Sequence, residues 1–355
     1  MTDVLRIGII GAGGIAREAH LVNYQKCGKR VEVVAVADVV EETAKECAEW
    51  FSIPHVFTDY EQMLEKVELD AVSVCTPNKF HAPAAIAALE AGCHVLCEKP
   101  PAMTAEEAER MAQTAESAGK ILTYGFHYRH APEVEVLKRF VDAGELGEVY
   151  AGRVHALRRR GIPGWGVFTN KELQGGGPLI DIGVHMLDTA LYLMGYPEPD
   201  LVLGSTYQKL GNRKGVGVLG EWDWENFSVE DMARGMIRFK NGATLILETA
   251  FAANLDQLEE MNVTLMGVEG GADVFPLGIY QEKHDTLVNL TPAHLPQKGY
   301  HEREIERFVD SCLTGSQPLS TPRQGVVLQQ LINALYQSAE TGEPVKLESV
   351  KADSR

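Results

Sequence analysis

The chain has 355 residues, 45% of them apolar and 23% charged, with a net charge of −17; this is an ordinary globular composition, and the length calls for two cores rather than one. The acidic balance argues against nucleic acid or an anionic membrane surface as a partner, though backbone amides at a helix start can still hold a cofactor phosphate. No stretch approaches the ~20 apolar residues that cross a bilayer, and the opening MTDVLRIGIIGAGG lacks the layout of a signal peptide, so a cytoplasmic location is expected.

Residues 4–10 (VLRIGII) read as a buried strand and 14–26 as a helix. Between them, Gly11, Ala12, Gly13, Gly14, Ile15 and Ala16 fit G-x-G-x-x-G/A. Alone this pattern is weak. Here it follows a strand and opens a helix, the context it requires. Gly11 permits the tight turn, Gly13 allows close approach of a pyrophosphate, and Ala16 keeps helix and sheet together. A second strand at 31–38 ends in Asp38, about 20 residues on, where a carboxylate meets the adenosine ribose. Asp38 also suits a cap for the following helix, but with both neighbouring elements in place cofactor binding is the stronger reading. No arginine adjoins it in sequence, so NAD is expected over NADP.

A helix at 41–51, a short helix at 60–66 and a strand at 70–76 follow. Thr76, Pro77 and Asn78 then stand on the sheet edge where ligands sit. His81 opens the next helix, either as a packing residue or as a cofactor contact. The strand 94–98 runs into Glu98, Lys99 and two prolines. A lysine on that edge, on a stiff backbone that makes a cis peptide feasible, is not in the usual setting of a surface lysine. A helix at 104–118 and a strand at 121–126 complete a doubly wound parallel pattern.

The pattern then changes. After a helix near 132–143 and a strand at 149–157 comes a Gly- and aromatic-rich loop, then a helix from about Asp181 to Met194. Strands at 201–208, 232–239, 243–251 and 261–267 have no helix between them, and Lys240-Asn241-Gly242 marks a hairpin. Helices at 301–313 and 322–341 close the chain. The fold class expected is an α/β Rossmann sheet, residues 1–126, with a C-terminal α+β domain, residues 127–355, built on an open, mainly antiparallel sheet. The six cysteines form no CxxC pair, so reduced structural thiols are expected and no metal site.

Asp181 and His185 are four residues apart and share a helical face. With no third ligand evident, a histidine beside a carboxylate suits proton transfer near neutral pH. Oxidation of an alcohol needs a hydride acceptor, a base for the hydroxyl proton and a positive donor for the developing alkoxide. NAD, His185 and Lys99 are candidates for these parts, with Asp181 orienting the substrate or the histidine.

The segments IGIIGAGGIA, AVSVCTPNKFHAPAAIAALEAGCHVLCEKP and GGGPLIDIGVHMLDTALYLMG, with VEDMARGMIRFKNGATLILETAF and the closing helices, resemble the Gfo/Idh/MocA family, which includes glucose–fructose oxidoreductase and inositol dehydrogenase. The resemblance covers essentially the whole chain; EKP together with DIGVH is specific for the family and unspecific for substrate. It implies a Rossmann domain, a second domain whose sheet often forms subunit contacts, Lys99 as the catalytic lysine, and Asp181 and His185 in the substrate site. Pro101 stands where many members carry leucine.

In the preceding loop, Arg158, Arg160, Trp165 and Phe168 are within reach of a substrate, although for the two arginines a lid or subunit contact is preferred. Tyr128 and Arg129 are further site-lining candidates. The expected activity is dehydrogenation of a secondary hydroxyl of a sugar or cyclitol by a homodimer or homotetramer. Two alternatives stand beside it: an NAD-dependent glycosidase of the same family, and a non-catalytic NAD-binding sensor.

Overall fold

Leu5–Ile10 is apolar at nearly every position and almost wholly buried, as a strand central to a sheet covered on both faces must be. The computed structural model describes residues 4–296 and 298–348. In it, this strand, β1, lies between β2 (Val31–Ala37) and β4 (Ala71–Val74), with β3 (His55–Phe57), β5 (His94–Cys97) and β6 (Leu122–Tyr124) outside them. All pairings are parallel, in the order β3-β2-β1-β4-β5-β6. The order reverses between β1 and β4, the switch point at which open α/β sheets bind ligands. The short edge strand β3 was not expected from sequence.

The second sheet has nine strands: β7 (Val149–Arg158), β8 (Pro199–Tyr207), β9 (Met232–Phe239), β10 (Thr244–Ala250), β11 (Glu259–Gly267), β12 (Gly270–Asp273), β13 (Gly278–Lys283), β14 (Thr286–Leu290) and β15 (Val345–Lys346). Their order is β14-β13-β12-β11-β7-β10-β9-β8-β15, antiparallel except for β7 beside β10. The β9–β10 hairpin turns at Gly242, whose φ of +91° requires glycine. The fold class is therefore an α/β Rossmann sheet followed by a mainly antiparallel second sheet.

The chain divides into two compact units, residues 1–130 with 298–326, and residues 131–297 with 327–355. The single cut at 126/127 read from sequence thus differs from the spatial division. The reason is the helix Tyr300–Thr314, whose Ile305, Phe308 and Val309 are buried in the same core as Leu5, Ile7 and Tyr24. In the other unit, the helices Pro132–Asp142 and Val184–Leu193 pack together, and the latter lies against β7 and β11. All six cysteines are free, and no group of ligands fit for a metal occurs among the described residues. No described helix is long and apolar enough to cross a membrane.

Candidate active site

Four strands of the first unit deliver the expected cofactor residues to one edge of the parallel sheet. Gly11 follows β1 with φ +92°, and a Cβ there would stand 2.7 Å from the Cys75 carbonyl carbon; only glycine fits. An added Cβ at Gly13 would meet nothing within 4 Å, so backbone is open there to a ligand. Gly14 and Ile15 are exposed beside it. The Ala12 amide is not offered to a ligand: it donates to Asp38 Oδ2 at 2.8 Å. Asp38 Oδ1 accepts from Val40 N–H at 2.9 Å. Asp38 thus accepts from a backbone amide with each carboxylate oxygen, the second of them just ahead of the helix Glu41–Phe51 rather than as its cap. It ties the glycine turn to the end of β2, and each carboxylate oxygen keeps a second lone pair for a ribose hydroxyl.

Arg17, remote from Asp38 in sequence, comes close in the fold, but its Nε donates to Ala12 O and its Nη2 to Thr43 O. Thr76, Pro77 and Asn78 follow β4 on the same edge. The Thr76 hydroxyl is buried without a hydrogen-bond partner among the described residues. An open glycine backbone, a carboxylate with lone pairs to spare and an unsatisfied buried hydroxyl together fit a dinucleotide.

His81 is buried, with Nδ1 2.7 Å from Pro100 O and Nε2 2.9 Å from Thr76 O. Both ring nitrogens face protein carbonyls, so its geometry is that of a brace between two ligand-edge turns rather than a direct cofactor contact. Burial pushes its pKa down, against the pull of the two carbonyls and the Glu98 charge. The Lys99–Pro100 peptide it braces is cis.

Glu98 is 5% exposed. Its Oε1 lies 2.9 Å from His20 Nε2, and its Oε2 accepts from the Lys99 N–H at 3.2 Å. Burial pushes this carboxyl up, but the hydrogen bond from His20 and the charges of Lys99 and His301 prevail and bring it to about 2. His127 and His301 pack ring on ring with centroids 4.1 Å apart. Burial holds His127 well below the usual histidine range. Burial also opposes charge on His301, yet the Glu304 carboxylate 3.5 Å away prevails and raises it. Sequence reading missed His20, His127, His301 and Glu304 altogether. They are scattered over three segments, and their one shared signal is ionisable chemistry in stretches otherwise destined for the core.

In the other unit, Asp181 and His185 lie on one continuous helix, but its first turn, Leu179–Gly183, is π-helical and only Val184–Leu193 is α-helical. Single π turns are frequent at functional sites. The amides of Gly177 and Leu179 donate to the buried Glu230 carboxylate at 2.9 and 3.3 Å, and Tyr336 O–H donates to it at 2.8 Å. His185 is 7% exposed and Asp181 half-buried.

The further substrate candidates divide. Arg129 is 1% exposed and donates to Leu319 O and Gln324 Oε1. It ties down the helix start at Pro322 and does not line an open site, which corrects the sequence reading. Tyr128 packs at 4.6 Å from His127 and 5.8 Å from Tyr300. Arg158 pairs with Glu259 across β7 and β11 at 2.9 Å. Arg160 donates to Ala253 O and Asn254 Oδ1. Both arginines are thus bound to their own sheet end. Trp165 is 55% exposed and meets half-buried Phe168 edge to face at 6.4 Å, so this pair remains open to a ligand.

Residues 5–126 match a family model described as "Oxidoreductase family, NAD-binding Rossmann fold", and residues 138–347 match one described as "Oxidoreductase family, C-terminal alpha/beta domain". D-glucoside 3-dehydrogenase of Escherichia coli (strain K12) is 47% identical over 343 residues, covering 97% of each chain. Levoglucosan dehydrogenase of Pseudarthrobacter phenanthrenivorans is 31% identical over 325 residues, covering 83% of this chain and 79% of that one. The solved structure of a levoglucosan dehydrogenase in complex with NADH superposes with a TM-score of 0.85 at 24% identity, covering 98% of this chain and 100% of that one; at that identity the likeness speaks for the fold.

Proposed function

The chain belongs to the Gfo/Idh/MocA oxidoreductase family, and from that premise we propose that it is an NAD-dependent dehydrogenase of a secondary hydroxyl on a sugar, with D-glucosides first among the candidates. The observation that carries this reading is the convergence of Gly11, Asp38, Thr76 and Lys99 on one edge of the parallel sheet, at its switch point. The identity of the Escherichia coli relative over nearly its whole length supports the substrate class.

When bound, NAD supplies the hydride acceptor. The glycine turn and the helix start at Gly14 receive its pyrophosphate, and Asp38 accepts from the ribose hydroxyls. Asp38 disfavours a 2′-phosphate by charge, and the Arg17 that would attract one is already engaged by Ala12 O and Thr43 O. Lys99 donates to the substrate oxygen on which negative charge develops. His185 takes the hydroxyl proton as general base, and Asp181 orients the reacting hydroxyl. Trp165 offers a flat apolar face to a sugar ring.

The test is the absorbance of reduced nicotinamide with NAD and, separately, NADP, over a panel of D-glucosides, free hexoses, anhydro-sugars and inositols. NAD-dependent turnover in the wild type, lost by a factor on the order of 10² or more in Lys99→Ala, is the expected result. Preference for NADP overturns the reading of Asp38. Release of sugar from a glycoside without accumulation of reduced nicotinamide makes the protein a glycosidase. Binding of NAD with no turnover across the panel makes it a sensor.

A further inference from the structure

Beneath Lys99 runs a chain of buried polar side chains that no step above uses. His20 is fully buried, on a π-helical segment, Ala16–Leu21, within the helix after the glycine turn. Its Nε2 is 2.9 Å from Glu98 Oε1 and its Nδ1 3.0 Å from Ser73 Oγ on β4. Ser73 Oγ is in turn 2.7 Å from the Tyr24 hydroxyl. The hydrogens of this chain have one self-consistent arrangement in which every group is satisfied. Tyr24 O–H donates to Ser73, Ser73 O–H donates to His20 Nδ1, and His20 Nε2–H donates to the Glu98 carboxylate. The other oxygen of that carboxylate accepts from the Lys99 backbone N–H. On its open side the carboxyl group lies against Gly125, where an added Cβ would sit 2.9 Å from Oε2.

Two simpler explanations fail on this geometry. As a proton path the chain points the wrong way. Every hydrogen in it runs toward Glu98, so a shift along it would leave a phenolate at Tyr24, whose burial already pushes its ionisation well above the ordinary range. As plain core packing the chain is wasteful, since burying a carboxylate is strongly unfavourable unless a charge or donor repays it, and an apolar set would fill the same volume. What the arrangement does achieve is to hold one carboxylate rigidly against the backbone of Lys99.

We propose that His20 is a positioning residue for Lys99: it clamps the Glu98 carboxylate, which in turn fixes the Lys99 turn and supplies the negative charge beside it, while Ser73 and Tyr24 fix the orientation and tautomer of the His20 ring. Glu98 itself belongs with the same assembly, and neither His20 nor Ser73 touches substrate. The assignment rests on the dehydrogenase reading above. It follows the general rule that groups behind a reacting side chain decide whether it is held within the tolerance of the reaction.

The experiment compares wild type, His20→Phe, His20→Gln and Ser73→Ala in three measurements: NADH affinity by fluorescence, turnover of methyl D-glucoside with NAD, and ¹⁵N shifts of the histidine rings. A glutamine amide can still donate to Glu98 Oε1; a phenylalanine ring cannot. In His20→Phe, kcat is expected to fall on the order of 10²-fold, the scale of an ångström's misplacement, while NADH affinity and KM stay near wild type. His20→Gln recovers most of that loss. The wild-type His20 ring shows the Nε2-protonated tautomer, and Ser73→Ala mixes the tautomers. A folded His20→Phe with wild-type kcat, a His20→Gln as impaired as His20→Phe, or a wild-type ring protonated on Nδ1 alone overturns the clamp. If wild type turns over no sugar, the dehydrogenase reading falls and the catalytic side of the proposal with it. The ring shifts still report whether the clamp exists, so the two failures are told apart.

Discussion

Glu98 carries a pH signature that can be tested directly. Its carboxyl is lowered from the ordinary 4.5 to about 2 in the folded protein, burial being outweighed by His20, Lys99 and His301. A carboxyl held lower in the folded state than in the unfolded chain contributes stability that is fully present above pH 4.5 and lost as pH falls through about 2. In urea titrations over that window the wild type should therefore lose stability faster than Glu98→Gln; parallel curves would show that the His20 pairing contributes nothing. At this scale the sequence was legible wherever backbone geometry and a motif coincide. Gly11, Asp38 and Lys99 stand in local patterns whose spacing encodes their position. Arg129 was misread because a cation after a sheet edge looks the same in sequence whether it faces a ligand or, as here, two acceptors nearly two hundred residues away. His20, Ser73 and Glu98 meet only through the sheet, and no local pattern announces such a meeting.

Two elements that carry site residues share a departure from regular geometry: the helices bearing His20 and Asp181 both contain a π-helical turn. A π turn shifts the residues that follow relative to the face an α-helix would present. The 3.6 period used to read both helices gives their extent but cannot show that shift. The second of them is anchored at its start by Glu230, which accepts from Gly177 N–H, Leu179 N–H and Tyr336 O–H. Burial pushes Glu230 up, so its carboxyl is held in place by these three donors rather than by solvent. Glu230→Ala leaves all three without an acceptor, at a cost of about 3 kcal/mol or more. The expected outcome is a lowered Tm and a reduced kcat with NADH affinity retained, because the glycine turn is untouched. A calorimetric scan with kinetics at a temperature well below the new Tm checks it, and an unchanged kcat would separate the anchor from the chemistry. Among the strands of the second sheet, β12–β15 escaped the sequence reading. The β13–β14 hairpin turns on His284 and Asp285, both at positive φ. A two-residue turn with two positive φ angles ordinarily announces itself as Asn-Gly, and His-Asp does not.

At the scale of the whole molecule, the nine-stranded sheet sets one face against its own helices, and on the other face several described apolar side chains are exposed. Register places Leu203, Met236 and Ile246 side by side on that open face, opposite in phase to the buried Val202, Ile237 and Leu245. Beyond Arg153, Thr264 and Asp273 on the same face, Tyr280 and Leu287 lie toward the β14 edge, and Leu203, Ile246, Tyr280 and Leu287 are 42%, 40%, 39% and 84% exposed. An apolar row across several strands is seldom left to water. The same face is studded with charges, Arg234 on Glu248 among them, which suits a pairing of like surfaces about a two-fold axis with ion pairs around an apolar centre. The acidic net charge opposes association at long range, but contacts at such a face are screened beyond ~10 Å in ordinary salt. The expected solution state is therefore a homodimer or homotetramer joined through this sheet. Light scattering on the wild type should give a multiple of the 38.9 kDa chain mass. Ile246→Arg puts a charge into the row without touching the buried face, so it should give folded monomers of unchanged secondary structure. A monomeric wild type would mean that the open face is covered by something other than a second copy, and an Ile246→Arg protein of wild-type mass would move the subunit contact to another surface.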